Sequence, residues 1–278
     1  MKKKRLKIQP LHLAGRVVIY LYALLLTVPF FFVIVTALKT TEERILNPVG
    51  MPQNPTLQNF VTAWTDGGLL TAAKNSIIIT GGSTILFMLN VILVSYCLNK
   101  IRDKKIGVFL YMTFLAALFI PNVGTVTGLV LRRNLGLYNN LFGEIFCSSI
   151  GITTAVFIVS GFLRTIPKEL EEAAMLDGAN DRQTCMRVIV PVIKPALVSM
   201  GIIHVTGTWN SALGPMLTLR DKELFTIPMA LLVNFTSEYS VEYTTMFAGV
   251  IMTAIPIVIV YVKFQNAFIS AMAGSVKG

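Results

Sequence analysis

Residues 166–195 read "IPKELEEAAMLDGANDRQTCMRVIVPVIKP", a polar stretch in a chain that is otherwise strongly apolar. Pro167 favours the first turn of a short helix, and three glutamates follow it where the helix dipole is positive. Gly178 is expected to end this helix, because glycine readily takes the left-handed backbone conformation. The stretch therefore begins with one short, exposed, acidic helix.

A second short helix is predicted directly after this turn. Asn180 or Asp181 can cap its N-terminus, and Pro191 is expected to close it off because proline lacks the N–H that a helix interior needs. The segment 164–194 is thus predicted to hold two short helices set at an angle, projecting between two apolar runs.

Composition places the rest of the chain in a membrane. Of its 278 residues, 54% are hydrophobic and only 14% are charged, against about 25% charged in soluble domains. The mean hydropathy is +0.68. The net charge of +10 would suit nucleic acid, but the basic residues cluster at the ends of apolar runs, which indicates membrane topology instead.

Six stretches approach the roughly 20 apolar residues that a membrane span needs. They are about 16–38, 76–98, 106–126, 144–163, 196–217 and 246–270. The basic start resembles a secretory signal, but the apolar run 17–38 is longer than a signal core, so an uncleaved first span is expected.

Charge asymmetry gives the orientation. Seventeen of the 24 Lys and Arg residues lie in the N-terminal tail, the 99–105 loop, the segment 164–194 and the C-terminal flank. By the positive-inside rule these parts and both termini are predicted to be cytoplasmic. The loops 39–72 and 218–245 are then external, where they either receive a partner or only connect spans.

No motif of nucleotide hydrolysis, metal binding or nucleophilic catalysis is present in the sequence, so the chain is predicted to be no enzyme and to bind no metal. His204 stands out as an ionisable residue at mid-span, and we expect it to be a packing residue rather than a proton relay. Glu144, Lys74 and Lys263 are expected to snorkel at span ends. Three scattered cysteines argue against disulfides; Cys97 and Cys147 are expected to be buried.

Two small neighbours, Ala173 and Ala174, would let another protein's backbone approach closely, while Glu172 offers a charge to an Arg or Lys. The residues by themselves leave a second interpretation equally open, in which the segment is an amphipathic loop that caps the bundle.

A resemblance favours the docking element. Glu172-Ala173-Ala174, Gly178 and then Val188-Ile189-Val190-Pro191 resemble the EAA signature of ATP-binding-cassette (ABC) importer permeases, with Val in both apolar places of the usual Ile-x-Leu-Pro ending. The stretches "VIVTALKTTEERI" at 33–45, "TWNSALGPMLTL" at 208–219, "FTIPMALLVNF" at 225–235 and "GSVKG" at 274–278 are similar to the carbohydrate branch, in particular to its smaller maltose-type permease subunit.

The resemblance implies an all-α membrane protein with the type I ABC-importer permease fold: six transmembrane helices, both termini cytoplasmic, and a cytoplasmic coupling helix. It implies a tail 1–15, a first span 16–38, an external loop 39–72, a permease core 73–270 with the coupling segment 164–194, and a tail 271–278. The residues that would couple to the ATPase are Glu172, Ala173, Ala174, Asp177, Gly178 and Pro191. The C-terminal residues that would contact it are Ser275, Val276 and Lys277.

The resemblance also implies partners and a location. They are a homologous second permease, a cytoplasmic ABC ATPase dimer that carries the ATP and Mg, an extracytoplasmic solute-binding protein, and the lipid of a bacterial inner membrane. The chain itself would bind no cofactor.

The expected function is that of the transmembrane subunit of a sugar or oligosaccharide importer. Candidates for the substrate pathway are Asn122, Trp209 and Asn210, because indole faces stack on sugars and carboxamides bond hydroxyls. For Trp209 an interfacial aromatic position is the competing interpretation. The alternatives for the whole protein are a permease for a non-sugar solute and a gradient-driven carrier.

Overall fold

A computed structural model describes residues 10–101, 104–119, 125–236 and 242–274, and these ranges are largely helical. The first eight helices are α1 (Pro10–Ala37), α2 (Thr41–Leu46), α3 (Gln58–Trp64), α4 (Leu69–Lys100), α5 (Lys104–Leu118), α6 (Thr125–Asn134), α7 (Leu141–Ser149) and α8 (Thr153–Leu163). They are followed by α9 (Lys168–Leu176), α10 (Asp181–Gln183), α11 (Val190–Trp209), α12 (Leu213–Thr218), α13 (Ile227–Asn234) and α14 (Tyr243–Gly274). A π-helical turn, Thr184–Ile189, joins α10 to α11, and Lys222–Leu224 forms a 3-10 turn.

Four helical runs in the described ranges are long and apolar enough to cross a membrane. They lie at Gly15–Ala37, Leu69–Lys100, Asp181–Trp209 and Tyr243–Gln265. A fifth span results if α7 and α8, which meet at an angle of 42°, cross together. Helix α5, in the region of the predicted third span, is apolar but has only 15 residues.

One compact unit consists of residues 1–69 and 231–254. Within it, the apolar side chains of α1 between Val17 and Phe32 are 40–74% exposed around the whole helix, as in a helix made for a lipid environment. Near the end of α1, Phe32 makes an edge-on contact with Phe247, with ring centroids 6.3 Å apart. The Arg44 guanidinium lies 5.2 Å from the centre of the Tyr243 ring.

The loop after α1 is built around a lysine. Lys39 is fully buried, and its ammonium donates to the carbonyl oxygens of Asn47 at 2.7 Å and Pro48 at 3.2 Å. The Asn59 amide donates to the carbonyl oxygens of Ala37 and Lys39, both at 2.7 Å. The predicted external loop 39–72 is therefore an ordered structure held by side chain to backbone bonds.

The second unit consists of residues 70–230 and 255–278 and contains the main hydrophobic core. Four elements contribute to this core, namely α4, α8, the π-helical turn and α11. Its buried members are Phe87, Val91, Tyr96, Ala155, Val159, Leu163, Cys185, Ile189, Ile193, Ala196, Leu197 and Met200. The core therefore reaches from the spans directly into the segment 164–194.

The cysteine prediction is wrong for Cys97. Cys97 is exposed, Cys147 is half-buried and Cys185 is buried in the core. The reason is rotation along α4: Tyr96 faces the core, and the next residue points about 100° away from it.

Candidate functional site

Helix α9 is the most exposed part of the predicted coupling segment. It begins directly after Pro167, and its first turn carries Glu169 and Glu171, which favour the positive end of the helix dipole. None of its residues is buried. Glu172 and Ala173 are exposed and Ala174 is half-buried, while Leu176 at the end of the helix is 89% exposed. The helix therefore presents a charge, small residues and an apolar end to a neighbour.

A tight left-handed turn ends α9, as predicted. Gly178 has φ +82°, and its N–H donates to the Met175 carbonyl at 3.0 Å. The Ala179 N–H donates to the Ala174 carbonyl at 3.0 Å, so the last carbonyls of α9 are satisfied in a Schellman motif. Asp177, the residue before the glycine, caps the C-terminus. The turn is thus fixed by backbone bonds and by one glycine conformation.

The chain leaves this turn through a capping box, which confirms Asn180 as the cap. The Asn180 side chain accepts from the Gln183 N–H, and the Gln183 side chain accepts from the Asn180 N–H, both at 2.9 Å. Two otherwise unsatisfied donors are therefore bonded at the start of α10.

The prediction that Pro191 closes a second short helix is wrong. Asp181–Trp209 is one continuous helical run of 29 residues, and Pro191 lies in the first turn of α11. The preceding turn is π-helical, with the Val190 N–H bonded to the Cys185 carbonyl five residues earlier. This wider turn accommodates a ring that has no N–H to donate. The exposed turn at Gly178 is consequently joined to a predicted span by unbroken helix.

A notch of about 300 Å³ lies between α9 and the π-helical turn. Ala174, Asp177 and Gly178 line one side of it, and Gln183, Arg187 and Val188 line the other. Its walls combine small, carboxylate and guanidinium groups, which allows a protein segment to be bonded there by charge and by close backbone approach.

The start of α10 is anchored to α4. The Lys100 ammonium forms an ion pair with the Asp181 carboxylate and donates to the Tyr96 hydroxyl at 3.0 Å. Cys185 and Ile189 continue from there into the main core. A displacement of α9 would therefore be transmitted to both α4 and α11.

The other predicted site residues fall in different surroundings. Asn122, Ser275, Val276 and Lys277 lie outside the described residues. Trp209 is buried at the C-terminus of α11, while Asn210 is exposed and its amide donates to the Thr206 carbonyl at 3.0 Å. Their assignment to a substrate pathway stays a prediction.

The His204 ring contacts one aromatic ring and two hydroxyl groups. Its ring stacks on Phe87 with centroids 4.1 Å apart and an angle of 13°. Its Nε2 atom lies 3.3 Å from the Ser83 hydroxyl and 3.4 Å from the Thr208 hydroxyl. These contacts are those of a packing residue.

Sequence reasoning missed a buried ion pair. Glu144 was expected to snorkel, but it is 4% exposed, and its carboxylate accepts from Arg132 at 2.7 Å and from the Thr218 hydroxyl at 2.8 Å. No local pattern links these residues, because Thr218 is 74 positions away. Among the described residues, no group of three His, Cys, Asp or Glu is placed to hold a metal ion.

A polar cluster next to this pair ties together two loops. Asn139, at φ 53°, accepts through its side-chain oxygen from the N–H groups of Arg220 at 2.8 Å and Asp221 at 3.2 Å. Tyr138 is bonded by Arg133 and Arg220, and these cations lower the pKa of its phenol. The signal in the sequence was the turn-forming pair "NN" at 139–140.

These features are those of a multi-pass helical membrane protein in which the exposed helix α9 lies between apolar helical runs. Residues 92–272 match the family described as the binding-protein-dependent transport system inner membrane component. The match covers more than half of the chain and includes the whole segment 164–194, so the chain belongs to this family, and its expected resemblance to ABC importer permeases is confirmed.

Individual relatives match over nearly the full length. The chain is 30% identical over 256 residues to the arabinooligosaccharides transport system permease protein AraQ of Halalkalibacterium halodurans, covering 90% of this chain and 91% of that protein. It is 27% identical over 259 residues to the diacetylchitobiose uptake system permease protein NgcG of Streptomyces coelicolor, covering 92% and 84%.

A solved structure shares the fold. One chain of a bacterial ABC transporter involved in the import of the acidic polysaccharide alginate superposes with a TM-score of 0.82 at 22% identity. The match covers 96% of this chain and all of the other. This superposition and the family match together indicate the ABC permease fold.

Proposed function

We propose that this chain is the transmembrane subunit of an ATP-driven importer for a sugar or oligosaccharide. The observation that carries the proposal is the exposed helix α9, which the left-handed Gly178 turn joins to the continuous helical run Asp181–Trp209. Such a connection can convert a movement of a cytoplasmic partner into a movement of the spans.

The cargo class rests on the relatives. AraQ and NgcG are permease proteins for arabinooligosaccharides and diacetylchitobiose, and both match nearly all of this chain. Their shared chemistry is a short chain of sugar rings. A non-sugar solute remains the alternative cargo, since the coupling segment has no contact that selects a cargo.

The proposed assembly is supported by the family. We propose that a homologous second permease supplies the other half of the pathway and that a cytoplasmic ATPase dimer holds the ATP and Mg. A solute-binding protein would dock on the external loops 39–72 and 218–245. In this arrangement α5 and the bent pair α7 and α8 each complete a span, which gives six spans with both termini in the cytoplasm.

In the proposed mechanism, α9 sits in a groove of the ATPase. Glu172 pairs with a cation of the ATPase, and Ala173 and Ala174 allow close approach. The Gly178 turn and its capping box keep α9 at a fixed angle to the following helix. Closure of the ATPase dimer around ATP then moves α9, and the Lys100–Asp181 pair and the shared core carry that movement into α4 and α11.

The first experiment is mild-detergent purification of the wild-type chain from its native membrane. We expect a second permease and an ATPase to co-purify. Glu172→Ala should lose the ATPase selectively, while Glu169→Ala, which removes another exposed carboxylate of the same helix, should retain it.

A gradient-driven carrier would give the opposite result. A wild-type chain that purifies alone, and that moves solute in vesicles without ATP, contradicts the importer assignment. A complex that transports peptides or amino acids but no sugar contradicts only the proposed cargo.

A further inference from the structure

We propose that a groove at the charged end of α4 is a binding site for an anionic phospholipid of the inner leaflet. The groove lies between α4 and the first turns of the run that begins at Asp181, and its volume is about 440 Å³. Ligand pockets typically have about 300–1,000 Å³. The proposal rests on the proposed function for the placement of this end of α4 at the cytoplasmic surface.

The wall of the groove along α4 is apolar. Leu89, Leu93 and Cys97 line it at intervals of four residues, which places them on one face of the helix. Met186 lines the facing wall. Leu89, Leu93 and Met186 are each about half exposed, so this apolar strip is covered by no described part of the chain. From residue 89 to residue 97 the strip is about 12 Å long.

All charged groups of the groove lie at one end. They are Lys100 at the last position of α4 and Asp181 and Arg182 at the start of α10. The residues that line the mouth thus carry two cations and one carboxylate, and the Glu171 carboxylate lies outside this lining, near Tyr96 and Cys185. The apolar strip and the cationic mouth together match an amphiphile with a negative head.

The cations retain donors for a phosphate. An ammonium has three N–H donors, and in the described part of the chain Lys100 bonds two groups, Asp181 and the Tyr96 hydroxyl. Arg182 is exposed, and its guanidinium has no ion pair within the described ranges. A phosphate placed between the two would accept from both.

The position of the groove along an apolar helix favours a lipid over a soluble anion. Its charged end is the end of a 32-residue apolar helix, where lysine side chains reach the headgroup layer of a bilayer. Basic pockets between spans on the cytoplasmic side are suited to anionic headgroups. A free phosphate would leave the apolar strip unused, and a sugar would find few hydrogen-bond partners on it.

Occupancy of this site would act on the coupling segment. A lipid phosphate on Lys100 competes with the Asp181 carboxylate, and Asp181 directly follows Asn180, the N-cap of α10. The lipid would therefore weaken one of the bonds that join α4 to the segment 164–194.

Cys97 offers a native reporter, because it is exposed and lines the groove. We would measure its alkylation by neutral N-ethylmaleimide, by peptide mass spectrometry, in the purified complex in nanodiscs of phosphatidylglycerol or phosphatidylcholine. Cys147→Ser removes the other accessible thiol, since Cys185 is buried. The variants are the double substitution Lys100→Gln with Arg182→Gln, and Lys194→Gln as a control that removes another exposed cation of the same helical run, outside the groove lining.

We expect phosphatidylglycerol to slow the alkylation of Cys97 severalfold relative to phosphatidylcholine. The double variant should abolish this difference, because the loss of two cations weakens anionic lipid binding by roughly tenfold or more. Lys194→Gln should keep the difference.

Three results would overturn the site. Equal rates in the two lipids exclude an anionic preference, and a difference that survives in the double variant reflects only the surface potential of the bilayer. Protection in both lipids and in detergent means that a protein neighbour covers the groove. Co-purification of the ATPase is read in the same preparation, so a failed lipid site is distinguished from a failed importer assignment.

Discussion

The Glu144 carboxylate accepts from the Arg132 guanidinium at 2.7 Å, and only 5% of the Glu144 side chain is exposed. The same carboxylate oxygen also accepts from Thr218 at 2.8 Å. The pair therefore joins α6, α7 and α12 through one buried group.

Glu144→Ala is expected to destabilise the protein strongly. Loss of one member of a buried pair leaves the other charge unpaired and costs about 3–5 kcal/mol. Thermal unfolding of the purified protein in detergent would measure this as a lower Tm. Glu223→Ala removes an exposed carboxylate and should change the Tm little.

Removal of both charges distinguishes the contribution of the ion pair from that of side-chain packing. Arg132→Ala together with Glu144→Ala should be less destabilising than the sum of the single changes, because neither charge is left unpaired. Strict additivity of the two single effects would mean that the pair contributes no coupling energy.

The second prediction concerns the turn after α9. Gly178 has φ +82°, and an added Cβ there would meet no atom within 4 Å, so its substitution tests backbone conformation alone. Gly178→Ala should cost about 1–2 kcal/mol and shift α9 relative to the following helix. We expect lower ATP-driven uptake in proteoliposomes with unchanged membrane insertion.

Gly161→Ala is the matched control. Gly161 also has open space around the Cβ position, but it lies inside α8, where alanine is favoured over glycine. Uptake should therefore be retained in Gly161→Ala. Gly178→Asn should show higher uptake than Gly178→Ala, because asparagine tolerates the left-handed region. Full activity of Gly178→Ala would show that the turn does not set the coupling geometry.

Local sequence rules predicted the parts of the site that local bonds determine. The end of α9 at Gly178 and the cap at Asn180 each depend on residues within five positions, and both predictions are confirmed. The family was predictable for the same reason, because its signature is a contiguous stretch.

Two further wrong predictions, beside that for Cys97, concern a residue whose partners are distant and a helix that departs from ideal geometry. Glu144 is buried because Arg132 and Thr218 meet it in the folded chain, which its flanking residues do not reveal. Pro191 continues a helix because a π-helical turn precedes it, and such a turn has no simple sequence signal.

The third prediction is that His204 is a packing residue and not a proton relay. Its partners are the Phe87 ring and two hydroxyls, of Ser83 and Thr208. His204→Phe keeps an aromatic ring for the stack but leaves both hydroxyls without this partner, at about 1 kcal/mol each. We expect a modestly lower Tm and retained ATP-driven uptake.

The decisive measurement for this prediction is uptake in the presence of an uncoupler, which collapses a proton gradient. Uptake in ATP-loaded proteoliposomes should be insensitive to the uncoupler in both the wild type and His204→Phe. Uptake that the uncoupler abolishes in the wild type would make His204 a relay candidate again.

The last prediction concerns the loop that follows α1. The buried Lys39 ammonium bonds the carbonyls of Asn47 and Pro48, and hydrogen bonds to charged groups contribute about 1.5–3 kcal/mol each. Lys39→Met preserves much of the side-chain volume but leaves both carbonyls without this donor. The loop 47–57 should then open more often, which limited proteolysis of the protein in nanodiscs would detect as faster cleavage there. Lys74→Met, at an exposed position, should leave the cleavage rate unchanged, and an equal rate in Lys39→Met would mean that other contacts hold the loop.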